Sequence, residues 1–393
     1  MIRTNGAVEV RAGEGAAGAA GALRGRDLLC FSHDWSGDPL SKTHLMRLLA
    51  RDNRVLWVNS IGNRAPTASK ADISRAFSKL AAAAQPISEP EPNIFVLNPL
   101  AVPAYGSPSV RAFNRRFLRW QVRRAMRKLR FKRPVNFVFN PAASVIAGEL
   151  GEETLIYYCV DEYTEFTGVA SRSLAEMEEE LMRRSDLVIV SADRLYQSKA
   201  AHNPNTILVR HGVDFTHFRR ALDPATEVPE DLARLPRPVI GFFGLIADWV
   251  DFDLIRRVAE DHPGGSVVLL GKTTTDTAAL ESVPNIHLFG RKPYAELPAY
   301  CKGFDVALMP FRINELTLNA NPLKVREYLA AGLPVVSTAI PEVEVLGLCR
   351  IGRDADSFVR EVREALRDPG PSEARSEAIR RHLAKMAAES VGR

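Results

Sequence analysis

The sequence predicts an α/β protein of two doubly wound parallel sheets that face one another across a cleft. Three observations carry that expectation. Short apolar runs alternate with longer segments of helical period, the pattern of β-α units in a parallel sheet. The alternation breaks once, over a Pro- and charge-rich stretch holding Pro224, Pro229, Pro236 and Pro238, and then resumes. The 393 residues equal about two to three ordinary domain lengths.

The elements follow in order. Residues 1–26 are rich in Ala, Gly and Arg, with Glu9 and Glu14 interspersed and no bulky apolar run, which reads as a disordered leader. Residues 27–31 and 54–58 are apolar runs of strand length, with a helix over 41–50 between them. Further strands are expected at 94–97, 135–139, 155–158, 187–190 and 207–209. Helices are expected at 73–84, 109–129, 142–148 and 173–184, the last opening on Ser171 or Ser173 as a cap before acidic first turns. These make a first domain over 27–212, and 213–237 reads as a linker or hinge. The second domain, 238–370, carries strands at 239–243, 267–270, 286–288, 306–309 and 335–336, with helices at 251–260, 323–331 and 356–366. A helix over 375–389 lies within a closing segment, 371–393.

Composition removes several classes. With 46% apolar and 25% charged residues the chain is neither collagen-like, coiled-coil nor wholly disordered. No window approaches the roughly 18 uninterrupted apolar residues of a membrane span. Cys30, Cys159, Cys301 and Cys349 are far apart with no Cys-x-x-Cys, the pattern of isolated thiols in a reducing cytoplasm. Net charge is +5, yet eleven Lys/Arg and no Asp or Glu stand between Arg111 and Arg133, so the rest of the chain carries −6. That segment also holds Phe113, Phe117, Trp120, Met126, Leu129 and Phe131. Two readings stand for it: a basic amphipathic helix on an anionic membrane surface, or a core-packed helix with a solvated basic face. No nucleic-acid recognition motif accompanies the charge, so nucleic acid is not an expected partner.

Ligands of open α/β sheets bind at the carboxyl ends of strands, near helix N-termini. The most informative stretch is Met309-Pro310-Phe311-Arg312-Ile313-Asn314-Glu315, continued by Asn319-Ala320-Asn321-Pro322-Leu323-Lys324-Val325-Arg326-Glu327. A strand ends, a loop follows, and a helix opens with Asn321 as the expected N-cap and Pro322 at its first position. Its free amides could take a diphosphate, with Lys324 adding positive charge and Glu327 accepting from ribose hydroxyls. Gly332 closes the helix and Pro334 begins the next strand.

This run resembles the helix bearing the second glutamate of the E-x7-E motif in GT-B glycosyltransferases, above all the retaining family-4-like group. Val239-Ile240-Gly241-Phe242-Phe243-Gly244 is similar to the first strand and turn of that family's donor domain. Phe289-Gly290-Arg291-Lys292-Pro293-Tyr294, Asp305-Val306-Ala307-Leu308-Met309-Pro310 and Arg210-His211-Gly212-Val213-Asp214 are similar to later family landmarks. The resemblance implies a GT-B fold of two Rossmann-like domains, with acceptor bound by the first and nucleotide sugar by the second, and a last helix that crosses back to the first. It implies retaining sugar transfer to a lipid-linked or polysaccharide acceptor at the inner membrane face. The donor site it implies comprises Gly244, Lys272, Arg312, Glu315, Asn319, Asn321, Pro322, Leu323, Lys324 and Glu327.

The chain departs from the pattern in two places. Asn319 stands where the first glutamate belongs, so either its amide or nearby Glu315 would meet the donor hexose. The family's basic pair after the first glycine turn is absent, which passes the diphosphate to Lys324, Lys272 or Arg312. A non-catalytic nucleotide-sugar-binding partner of a polysaccharide-assembly complex, or a GT-B epimerase or hydrolase, is the alternative.

On the first domain, His33 and Asp34 follow a strand, and Asp161 ends another. Each is either a catalytic group at the cleft or a structural cap, and Asp161 would be the natural base of an inverting enzyme. Lys42 and His44 sit on the acceptor side. Asp251-Phe252-Asp253 and Asp354-Ala355-Asp356 spell Asp-x-Asp, a metal-holding pattern elsewhere, but both stand at expected helix starts where Asp caps. No metal or other cofactor is expected. Gly241-x-x-Gly244 alone does not make a dinucleotide fingerprint.

Overall fold

A computed structural model describes residues 23–61, 87–102, 107–165 and 171–391. The expected leader up to residue 22 and the helix expected over 73–84 lie outside the described residues. The first sheet is built from β1 (Asp27–Phe31), β2 (Arg54–Val58), β3 (Ser88–Glu91), β4 (Ile94–Leu97), β5 (Val135–Val138), β6 (Thr154–Cys159), β7 (Leu187–Val190) and β8 (Thr206–Leu208). Its order is β3-β4-β2-β1-β5-β6-β7-β8, parallel throughout except for β3 on β4. Period-2 alternation explains why β1 reads as uninterrupted apolar sequence. Leu29 and Phe31 pack on one face with Leu56 and Val138, while Leu28 and Cys30 pack on the other with Trp57 and Phe137.

The second sheet contains β9 (Val239–Phe243), β10 (Ser266–Leu270), β11 (Ile286–Gly290), β12 (Val306–Met309), β13 (Val335–Thr338) and β14 (Arg350–Gly352), all parallel in the order β11-β10-β9-β12-β13-β14. Chain order reverses beside β1 in one sheet and beside β9 in the other. Each reversal opens a crevice at the strands' carboxyl ends. Loops after β1, β9 and β12 therefore carry most of the candidate residues.

Several expectations are corrected. The stretch 213–237 is packed rather than free: Phe218, Ala221 and Leu232, on short helical turns, are buried in the second domain's core. Proline content hid three apolar anchors. The first turns of the closing helix, Glu373–Val391, pack on the second domain. Ile379 joins the second core, the Ser376 hydroxyl donates to the Ala330 carbonyl at 2.8 Å, and Arg375 donates to Gly332. The helix expected over 142–148 is a 3-10 turn, Pro141–Val145, capped by the Asn140 side chain. Its trailing carbonyls, those of Ser144 and Ala147, accept from Arg184 instead of continuing a helix.

The basic segment forms the helix Pro108–Leu129, and its buried face is Leu118, Val122, Ala125 and Met126. The Phe113/Trp120 stripe lies on the opposite side, each residue about half exposed. All four cysteines are free thiols. Among the described residues no helix is long and apolar enough to cross a membrane.

Candidate functional site in the interdomain cleft

β9 ends at Phe243, and Gly244 takes φ +141°. A Cβ there would stand 1.8 Å from Lys324 Cε, and one on Gly271, at the end of β10, would stand 1.7 Å from the Gly244 carbonyl. Two glycine turns thus close on each other, and the Lys324 side chain is draped across the first. Gly244→Ala is expected to strain the turn and push Lys324 aside, weakening nucleotide binding at least tenfold with the fold intact. Titration calorimetry checks this; unchanged affinity would detach the turn from the site.

Lys324 lies in the first turn of the helix Leu323–Ala330. The N-cap is Pro322, not Asn321 as expected, and no side chain caps the first-turn amides. Asn321 is drawn elsewhere: its Nδ2 donates to the Ser191 carbonyl of the first domain and its Oδ1 accepts from Arg326 Nη1. Among the described residues the helix end is left with free amides, an anion site by dipole and by donors.

Across the cleft, Lys42 and Asp161 of the first domain approach Lys324 and Glu327 of the second. Burial lowers the Lys324 pKa, opposed by Glu327 and Asp161. Burial raises that of Asp161, opposed by Lys42 and Lys324. Burial also lowers that of Lys42, opposed by Asp161. Glu327 is pushed up to about 7, chiefly by burial, with Lys324 opposing and Asp214 adding to the rise. The four charges alternate in sign across the two domains. Lys42 Nζ also lies 5.9 Å from the Phe139 ring centroid.

A cavity of about 620 Å³ between the domains is lined by His44, Arg47, Tyr158, Asp214, Leu323 and Glu327, among others. His44 Nε2 is buried there with no hydrogen-bond partner among the described residues, and so is the Tyr294 hydroxyl. The two rings lie 5.3 Å apart, and Tyr294 stacks on His217 at 4.4 Å. Tyr294, Asp214 and Arg47 were missed as site residues. Only the first two had a signal, since each ends a stretch that resembles a family landmark.

Other candidates fall elsewhere. His33 has both ring nitrogens engaged, with Ser32 Oγ at 3.1 Å and Thr43 Oγ1 at 3.3 Å. Its ring meets Trp57 edge-on, and burial, then Lys42, lowers its pKa to about 3. It is a neutral clamp between the β1 loop and the helix Ser41–Leu49. Asp34 is exposed, and its carboxylate accepts from the Ser60 amide at 3.0 Å. Both side chains are thus engaged in contacts within the first domain.

Glu315 and Asn319 line a different interdomain cavity, of about 790 Å³, with Glu162, Arg194 and Lys199. Glu315 pairs with Arg194 at 3.0 Å, and Asn319 Nδ2 donates to the Glu315 carbonyl at 2.7 Å. The structure does not bring them into the cavity that holds Glu327. Lys272 and Arg312 are exposed, contributing backbone bonds to Ile246 and Trp249. Asp251 and Asp354 cap Leu254 and Ser357 through their side chains. Among the described residues no group of three His, Cys, Asp or Glu is placed to hold a metal ion.

Residues 237–368 match the family model described as Glycosyl transferases group 1. TuaH of Bacillus subtilis (strain 168), named for a teichuronic acid biosynthesis glycosyltransferase, is 26% identical over 219 residues, 51% of this chain and 54% of that protein. The match thus spans about half the curated relative's length. Among solved structures, sucrose-phosphate synthase from Thermosynechococcus elongatus aligns over 93% of this chain and 96% of its own with a TM-score of 0.65 at 14% identity. Anabaena HepE, solved in complex with UDP, aligns over 93% and 95% with a TM-score of 0.56 at 13% identity. The fold is GT-B. The second domain is the part that matches the group 1 glycosyl transferase family.

Proposed function

We propose that the chain transfers a sugar, with retention, from a nucleotide-sugar donor to a lipid-linked or polysaccharide acceptor in cell-wall polysaccharide assembly. One observation carries the donor half of the reading: an uncapped helix N-terminus with Lys324 and Glu327 on its first turns, facing Lys42 and Asp161 across the cleft. The name of the Bacillus relative supports the acceptor class, and the UDP complex of the Anabaena neighbour supports a nucleotide diphosphate donor. In this reading Glu327 accepts from the ribose hydroxyls. Helix amides and Lys324 hold the diphosphate, and Lys42 with Asp161 borders the reacting sugar. The departing phosphate takes the acceptor proton in a retaining front-face path, so no separate protein base is required.

A thermal-shift panel of UDP, GDP, ADP and CMP with their common sugar conjugates tests the reading on wild type and Glu327→Ala. A ligand at 100 times its Kd stabilises the native state by about 2.7 kcal/mol. The expected result is a base-selective shift that Glu327→Ala removes. Silence from a folded sample across the panel overturns the donor site.

Diphosphate charge is offset here by lysines and helix amides, and both Asp-x-Asp sequences cap helices. Transfer is accordingly expected to persist in EDTA; loss that manganese restores would overturn a metal-free site.

A further inference from the structure

The helix Pro108–Leu129 packs its aliphatic residues inward, yet a second, aromatic stripe runs along its outer side. Phe113 is 53% exposed and Trp120 51% exposed. Phe113 and Phe117 lie 5.5 Å apart, and Phe117 stacks on Trp120 at 6.0 Å with ring planes 8° apart. The Arg124 guanidinium continues the ladder, 5.6 Å from the Trp120 ring. Beside it a groove of about 780 Å³ is lined by Arg116, Arg119, Trp120, Arg123, Arg127 and the buried Phe131.

Not all the charge is free. Glu149 pairs with Arg115 and Arg119, and Glu176 lies 4.0 Å from Arg111. Arg116, Arg124, Arg127 and Lys128 are exposed and make no carboxylate pair among the described residues. Folding alone gives no reason to keep two large aromatics in water within a net of cations that have no carboxylate partner among the described residues. The buried face already supplies the packing. Aromatic rings flanked by Arg and Lys are the side chains that partition to a bilayer interface, where the rings settle at headgroup depth and the cations meet lipid phosphates.

We propose that this outer face of Pro108–Leu129 docks the enzyme on an anionic lipid bilayer, with Phe113, Phe117 and Trp120 inserted at the interface and Arg116, Arg124, Arg127 and Lys128 on the phosphates. It stands independently of the donor site, since none of these residues lines the cavity that holds Glu327. Charge complementarity selects the occupant. Each basic residue near an anionic surface contributes about 1 kcal/mol. Neutralising three therefore lowers partitioning about a hundredfold.

Flotation of the full chain with phosphatidylcholine vesicles, with and without phosphatidylglycerol, is the test. Wild type is expected to float only with the anionic vesicles and to be released by salt. Arg116→Gln/Arg127→Gln/Lys128→Gln is expected to lose binding about a hundredfold. Phe113→Ala/Trp120→Ala is expected to lose binding and, with it, quenching of tryptophan emission by brominated lipid. Both variants change exposed residues, so their melting temperatures and nucleotide-induced shifts should match wild type, which separates this surface from the donor site. Equal partitioning onto neutral and anionic vesicles overturns the proposal. So does anionic binding that neither variant reduces, or retention on single-stranded RNA or duplex DNA with no vesicle binding.

Discussion

Glu327→Gln is expected to weaken binding of the nucleotide-sugar donor by about ten- to a hundredfold, the worth of one or two hydrogen bonds to a charged acceptor. It is also expected to change how affinity depends on pH. In the free protein burial holds the Glu327 carboxyl up at about 7, against an ordinary 4.5. Ribose hydroxyls donate best to the ionised form, so wild-type affinity should rise from pH 6 to pH 8. The glutamine variant, uncharged throughout, should show no such rise. A nucleotide sugar is the right probe, since its diphosphate diester does not titrate in this range. The stability effect has the opposite sign. Because the folded-state pKa is raised, the native state binds the extra proton between pH 4.5 and 7. The associated stability is present below about 4.5 and lost as pH rises through about 7. Glu327→Gln should therefore match wild type near pH 4.5 and exceed it in melting temperature at pH 8. A glutamine variant less stable than wild type at pH 8, with the same pH slope in affinity, would mean that Glu327 is ionised and paired in a structural role.

How much of this was legible in the sequence depends on what kind of force placed each residue. β1, β2, β9, β10 and β12 were readable because burial on both faces writes itself as a continuous apolar run. β3, Ser-Glu-Pro-Glu, was not. It is an exposed antiparallel edge whose partner among the described residues is β4, and polar sequence with a proline carries no strand signal. Lys324 and Glu327 were legible because a helix start after a strand-loop run is local chemistry. Asn321 was misread for an instructive reason. Its sequence position suits an N-cap, but a carbonyl from the other domain, 130 residues away, and the buried Arg326 guanidinium compete for its side chain. His33 and Asp34 show the same limit of local reading. A strand end marks a rim position, and only tertiary contacts with Thr43 and Ser60 reveal that the side chains are already engaged. Tyr294 ends a stretch that resembles a family landmark, yet its place in the site comes from His44 and His217, which the sequence does not bring near it.

Lys324→Ala is expected to be the most damaging single change for turnover. The side chain is the second domain's cation among the four alternating charges, placed over Gly244 with Glu327 one turn along and Asp161 opposite. Charge on the β-phosphate grows as the sugar–phosphate bond breaks. A fixed cation on a partly desolvated site stabilises that charge more in the transition state than in the ground state. Loss of one such donor costs about a hundred- to a thousandfold in kcat in comparable sites. The remaining helix amides still bind ground-state diphosphate, so KM should rise far less than kcat falls. Lys42→Ala provides the contrast. Lys42 faces Asp161 from the first domain, not the helix end, so its removal leaves the diphosphate's own cation in place. Steady-state kinetics on both variants, with donor affinity measured separately, distinguishes the roles. Equal losses in kcat would mean that the cleft acts as one undivided positive field. An unchanged kcat in Lys324→Ala would move the neutralising charge to another residue and remove Lys324 from the reaction.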